Sequence, residues 1–167
     1  MKKDVLIYFD LITSLKTVDE VNELSLELES LESVLFKSEK MTFEKAMTSI
    51  RENSAKKIME IFAKNKLDLS NKEDTRDFLK TLKLLIQKFK IIKLILAFDP
   101  TYQTIEKIHD YIFENIGIGY ILDIEVDETV LGGSVVIFNG KYKDFTLKRA
   151  IEEVFTNKNA EILKLIQ

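Results

Sequence analysis

The chain of 167 residues contains no cysteine, no tryptophan, one histidine and one proline. Without cysteine there can be no disulfide, iron–sulfur cluster, thiolate zinc site or thiol nucleophile. A single histidine, His109, removes most imidazole metal sites and nearly all histidine-centred catalysis. Basic excess is also missing. With 25 Lys+Arg against 28 Asp+Glu, the formal charge is −3, so no overall field draws nucleic acid, and no nucleic-acid partner is expected. Apolar runs such as Leu94–Phe98 fall far short of the roughly 20 residues of a membrane span. The first residues carry two lysines but also Asp4 and Asp10, and no small-residue cleavage site, which is not a signal-peptide pattern. A soluble, cytoplasmic chain is the expectation. Glycine is scarce in one half only: Gly117, Gly119, Gly132, Gly133 and Gly140, with Pro100, all lie beyond residue 99. Since Gly and Pro mark turns, this asymmetry predicts a helical first half and a turn-rich, mixed second half.

The first ninety residues read as about four helices with short connections. Residues 4–15 have apolar side chains almost all round, so that helix needs cover from other helices or from a partner. Residues 18–36 place Val21, Leu24, Leu28, Leu31 and Leu35 at 3-4-3-4 spacing behind a Thr17/Glu20 capping box. Residues 43–64 repeat the pattern with Phe43, Met47, Ile50, Ile58, Ile61 and Phe62, with Thr42 as cap. Residues 72–89 give Phe78, Leu82, Leu85, Ile86 and Phe89 behind Ser70 or Asn71.

From residue 91 the pattern reads β-α-β-β-β-α. Residues 91–98 form a β-branched run ending at Asp99-Pro100, where Asp99 reads as an N-cap and Pro100 as a first helical residue. Ile105, Ile108, Ile112 and Ile116 then make one helical face that stops at Gly117. Tyr120, Leu122, Ile124 and Val126 alternate with Asp123, Glu125 and Asp127, a half-buried strand. Residues 134–138 are a third strand, and Asn139-Gly140 is a strong hairpin signal leading into residues 141–145. Thr146 opens a last helix with Leu147, Ile151, Val154 and Phe155 turned inward, and the tail from 157 can extend it. The fold class expected is α+β: a helical bundle over 1–90, then a small domain over 91–167.

Charge is unevenly spread. Residues 17–36 hold six acids and no Lys or Arg, whereas residues 37–90 hold 14 Lys+Arg against eight Asp+Glu, a balance of +6. Solvated helix faces account for this, and a basic face for an acidic partner is the alternative. No phosphate-loop frame surrounds Gly132-Gly133, which reads as a tight turn where no Cβ fits. His109 reads as an exposed or boundary residue. Asp123, Asp127 and Glu128 could serve a divalent cation or acid–base chemistry, but they also suit the solvated face of a strand. No cofactor is called for.

One segment carries a family signature. Val126-Asp127-Glu128-Thr129-Val130-Leu131-Gly132-Gly133-Ser134-Val135-Val136-Ile137, then Asn139-Gly140-Lys141, Asp144 and a helix beginning with Lys148 and Arg149, resembles the C-terminal segment of the F-type ATP synthase delta subunit, the oligomycin-sensitivity-conferring protein of mitochondria. The family usually has Pro-Ser where Glu128-Thr129 stand, and Gly where Phe145 stands. The resemblance covers about 65 residues; the family's first domain, a bundle of about six helices, would be shortened here. It implies a non-catalytic peripheral-stalk subunit, cytoplasmic and attached to the membrane only through the ATP synthase complex. Residues 1–90 would receive the N-termini of alpha subunits, and residues 91–167 the C-terminal helices of the b-subunit stalk. It marks Asp127, Leu131, Gly132, Gly133, Asn139, Gly140, Asp144 and Arg149 as structural motif residues. Groove recognition of a partner helix would use Leu6, Phe9 and Ile12 beside Phe78, Leu82 and Leu85. The E subunit of V- or A-type ATPases, a standalone adaptor, and a small metal-dependent enzyme are the alternatives.

Overall fold

The computed structural model describes residues 7–37, 41–65 and 71–166, with side chains through residue 156. Among these residues the chain is α+β, with seven α-helices, one 3-10 turn and a mixed four-stranded sheet. Five helices precede the sheet: α1 (Phe9–Ser14), α2 (Val18–Lys37), α3 (Phe43–Ala46), α4 (Glu52–Asn65) and α5 (Lys72–Ile86). Then come β1 (Lys90–Leu96), α6 (Tyr102–Asn115), β2 (Tyr120–Val126), β3 (Ser134–Phe138), β4 (Lys141–Asp144) and α7 (Leu147–Ile166).

Side-chain caps define several helix starts. Thr17 Oγ1 accepts from the Glu20 N–H at 3.2 Å, while the Glu20 carboxylate accepts from the Thr17 N–H at 3.2 Å, a reciprocal capping box ahead of α2. Thr42 caps α3, and Asn71 caps α5 by accepting from the N–H groups of Glu73 and Asp74. The alternative cap Ser70 and the candidate Leu6 lie outside the described residues.

Four expectations need correction. The helix expected over 4–15 begins, among described residues, only at Phe9, after a turn at 7–8. The helix expected over 43–64 is two helices, parted by the 3-10 turn Met47–Ser49 and an extended Ile50 (φ −121°, ψ 168°). No Gly or Pro announces this break. A tertiary interaction holds it: the Arg51 N–H donates to Glu27 Oε1 of α2 at 3.3 Å, and its guanidinium donates to Glu27 and, at 2.7 Å, to Glu23. Asp99-Pro100 does not open α6, because Thr101 is its cap, accepting from the Thr104 N–H, and Pro100 precedes it. His109 is buried rather than exposed.

Contacts divide the chain into two units, Met1–Lys90 with Gly117–Ile121, and Ile91–Ile116 with Leu122–Gln167. The first unit has a continuous core in which Leu28, Leu31, Leu35, Ile58, Phe62, Leu79 and Leu82 are closed to solvent. Aromatic rings run through it: Tyr8 on Phe78 (5.0 Å between centroids), Phe78 on Phe62 (4.5 Å) and Phe62 on Phe43 (4.8 Å). One stacked and two tilted pairs tie α5 to the turn ahead of α1 and to α4, and α4 in turn to α3.

The sheet has strand order β2-β1-β3-β4, with β1–β3 and β3–β4 antiparallel. Since the sheet is mixed, β2–β1 is the parallel pair, with α6 in the crossover between its strands. Ile92, Leu94 and Leu96 alternate as buried residues along β1. Both edges carry charge, Asp123 and Glu125 on β2 and Lys141 and Lys143 on β4, which discourages edge-to-edge pairing.

Burial works against the charged form of Glu27, but hydrogen bonds from Arg51 and Ser54 outweigh it and hold its pKa below the ordinary carboxylate value. A carboxyl depressed on folding stabilises the fold above its unfolded pKa, and that contribution fades as pH falls through the lower folded value. Glu27→Gln is therefore expected to cost roughly 1–2 kcal/mol near neutral pH and to flatten the acid limb of stability. Urea midpoints measured across acid to neutral pH check this; an unchanged pH profile would contradict the pairing.

Candidate docking face at the Gly-Gly turn

The segment after β2 is a chain of short-range turns. Asp127 donates its N–H to the Leu96 carbonyl at 2.9 Å and accepts, on Oδ1, from the Thr129 N–H (2.9 Å) and hydroxyl (2.6 Å). The Thr129 hydroxyl, then its N–H, draw the Asp127 carboxyl below its ordinary pKa. Thr129 thereby closes an Asx turn at the position where the resembling family has a different pair.

Gly133 follows, with φ +79°. A Cβ there would overlap the Phe145 carbonyl oxygen and stand 3.1 Å from the Thr146 Cα. Gly132 also has positive φ (+65°), but a Cβ on it would make ordinary contact with Leu147 at 3.6 Å. The hairpin between β3 and β4 turns on Asn139 (φ 49°) and Gly140 (φ 72°), both left-handed as a tight primed turn requires. It returns the chain to Phe145, whose N–H donates to the Ser134 carbonyl at 2.8 Å.

The same approach starts α7. The Leu147 N–H donates to the carbonyls of Leu131 and Gly132, both at 3.2 Å. The Thr146 N–H donates to Asp144 Oδ1 at 2.8 Å, and the Arg149 N–H donates to Thr146 Oγ1 at 3.3 Å. Thr146, hydroxyl first, draws the Asp144 carboxyl below its ordinary pKa. Arg149 itself pairs along the helix with Glu153 at 2.9 Å. The turn, hairpin and helix start thus bring together Leu131, Gly132, Gly133, Asp144 and Arg149, with Asp127 closing the turn just before them. A shallow surface depression of about 510 Å³ lies between the end of β4 and α7, lined by Lys143, Asp144, Phe145, Arg149 and Glu153 among others.

The expectation that α7 turns its apolar stripe inward is overturned. Leu147 is 53% exposed, Ile151 39%, Val154 53% and Phe155 63%. Spacing of four, three and one puts these residues on one helix side, and Leu131 and Phe145, both exposed, lie at its N-terminal end. Val126, expected inward on β2, is also exposed.

In the first unit, Phe78 (3% exposed) and Leu82 (0%) belong to the closed core and offer no surface. Phe9, Ile12 and Leu85 are half-buried. Among the described residues, no three acidic or histidine side chains gather within reach of one metal ion, and no helix is long and apolar enough to cross a membrane. Glu125, between Asp123 and Asp127 in sequence, pairs with Lys93 at 2.6 Å. Compared with known proteins, the chain matches no family model and no curated protein.

Gly133→Ala is expected to destabilise the fold by roughly 2–4 kcal/mol, from positive φ plus overlap with backbone, and Gly132→Ala by only about 1 kcal/mol. Urea unfolding of the two variants checks this, and equal losses would refute the close approach at Gly133.

Proposed function

We propose that the chain is a non-catalytic docking subunit of a peripheral stalk, joining the head of an F-type ATP synthase to its b-type stalk and resisting rotation of the head. On this reading, residues 1–90 are a shortened helical bundle that meets alpha-subunit N-termini, and residues 91–167 are a β-α-β-β-β-α domain that takes stalk helices. The subunit would be cytoplasmic and held at the membrane only through the complex.

The observation that carries the proposal is the exposed stripe Leu147–Ile151–Val154–Phe155 on a helix whose start is fixed by backbone contacts. An amphipathic helix with its apolar side in solvent is the half-interface of a helix–helix contact. The element order and the Val126–Gly133 segment add the likeness to the delta subunit. The first ninety residues also speak for delta over the E subunit of V- or A-type ATPases. Among the described residues their longest helix is α2 (Val18–Lys37), and three shorter, separate helices follow it.

The test is co-purification. A tagged chain expressed in its native host should elute with alpha, beta and b-type subunits. Phe155→Asp, at an exposed position, should keep its circular dichroism and lose the b-type subunit. Elution without ATP synthase subunits, or an unaffected variant, would overturn the proposal.

A further inference from the structure

A second surface lies in the helical unit, on side chains not used above. Helices α2 and α5 leave a groove of about 310 Å³ between them, lined by Glu32 and Phe36 from α2 and by Arg76, Lys80, Lys83 and Leu84 from α5. Arg76, Lys80 and Lys83 follow i, i+4, i+7 spacing, so three cations run along about 10 Å of one helix side. Leu84 is 48% exposed beside them. Glu32 is taken by Lys83, with 2.6 Å between charged atoms. The Arg76 guanidinium sits over the Phe36 ring, 4.4 Å from its centroid. Among the described residues no ion pair involves Arg76 or Lys80.

We infer that this groove docks an acidic amphipathic helix. Leu84 and the Phe36 edge offer a short apolar contact, and Arg76 and Lys80, one turn apart and without an ion pair among the described residues, match carboxylates at i, i+4 spacing on the incoming segment. A bound small anion would leave Leu84 idle. Nucleic acid fits less well: Arg76 covers the ring face on which a base would stack, and the chain as a whole carries net charge −3. The attraction lies at the surface, so it speeds encounter and weakens with salt. The inference stands apart from the stalk reading, because it needs no ATP synthase.

The test uses the purified full chain and a fluorescein-labelled helical peptide of about 18 residues, with Leu on one side and Glu on both flanks. A second peptide has every Glu replaced by Lys. Fluorescence anisotropy should show binding of the acidic peptide only, weakened at least about tenfold between about 50 and 500 mM salt. The double variant Lys80→Glu, Leu84→Asp, at exposed positions, should weaken it by about tenfold or more. Lys56→Glu, on α4 and outside the groove, should leave it unchanged, with the melting temperature confirming that each variant folds. Equal binding of both peptides, no effect of the double variant, or tighter binding of a single-stranded oligonucleotide would overturn the inference.

Discussion

Gly133 has no room for a side chain, and the arrangement of the chain's last third depends on that contact. Because nothing projects from its Cα, the turn closes on Phe145 and Thr146. That closure brings the carbonyls of Leu131 and Gly132 to the Leu147 N–H. A helix begins with four N–H groups that lack intrahelical acceptors. Here the turn takes one and the Thr146 hydroxyl takes another, at Arg149. The direction of α7 is therefore fixed by backbone and cap hydrogen bonds at its first turn. Burial of Leu147, Ile151, Val154 and Phe155 plays little part, and those side chains stay in solvent.

The helical unit is organised differently. Its elements are held by a closed core and by the ring contacts from Tyr8 through Phe78 and Phe62 to Phe43. One polar contact bridges the break between α3 and α4: Glu27 of α2 accepts from the Arg51 N–H just after the extended Ile50. The two units thus show opposite balances, apolar burial in one and backbone closure in the other.

Much of this was legible in residue order. The 3-4-3-4 spacing of Val21 to Leu35 marks five positions that are all buried. Thr17, Thr42 and Asn71 are readable caps because a short polar side chain can reach the orphan N–H groups only there. Asn139-Gly140 is readable because few other pairs tolerate left-handed backbone twice in succession. The break at Ile50 was not legible, since no Gly or Pro marks it and the contact that bridges it comes from a carboxylate 24 residues away. Nor was the outward stripe of α7. Helical periodicity shows that one side is apolar, but it cannot say whether the cover comes from the same chain. Phe78 and Leu82 failed as surface candidates for the same reason in reverse, because α5 spends its apolar side on its own core. The α2–α5 groove joins residues some forty positions apart. Its only sequence signal was the surplus of Lys and Arg over 37–90.

On the proposed reading, α7 presents an apolar docking side that a stalk helix covers. The chain has no cysteine, so Phe155→Cys introduces a sole thiol on that side. The rate of maleimide labelling reads its cover directly. Labelling of the free protein should run at close to the rate of the urea-unfolded chain, and slow by at least about tenfold in purified ATP synthase. Slow labelling of the free protein, or the same rate in the complex, would contradict that reading.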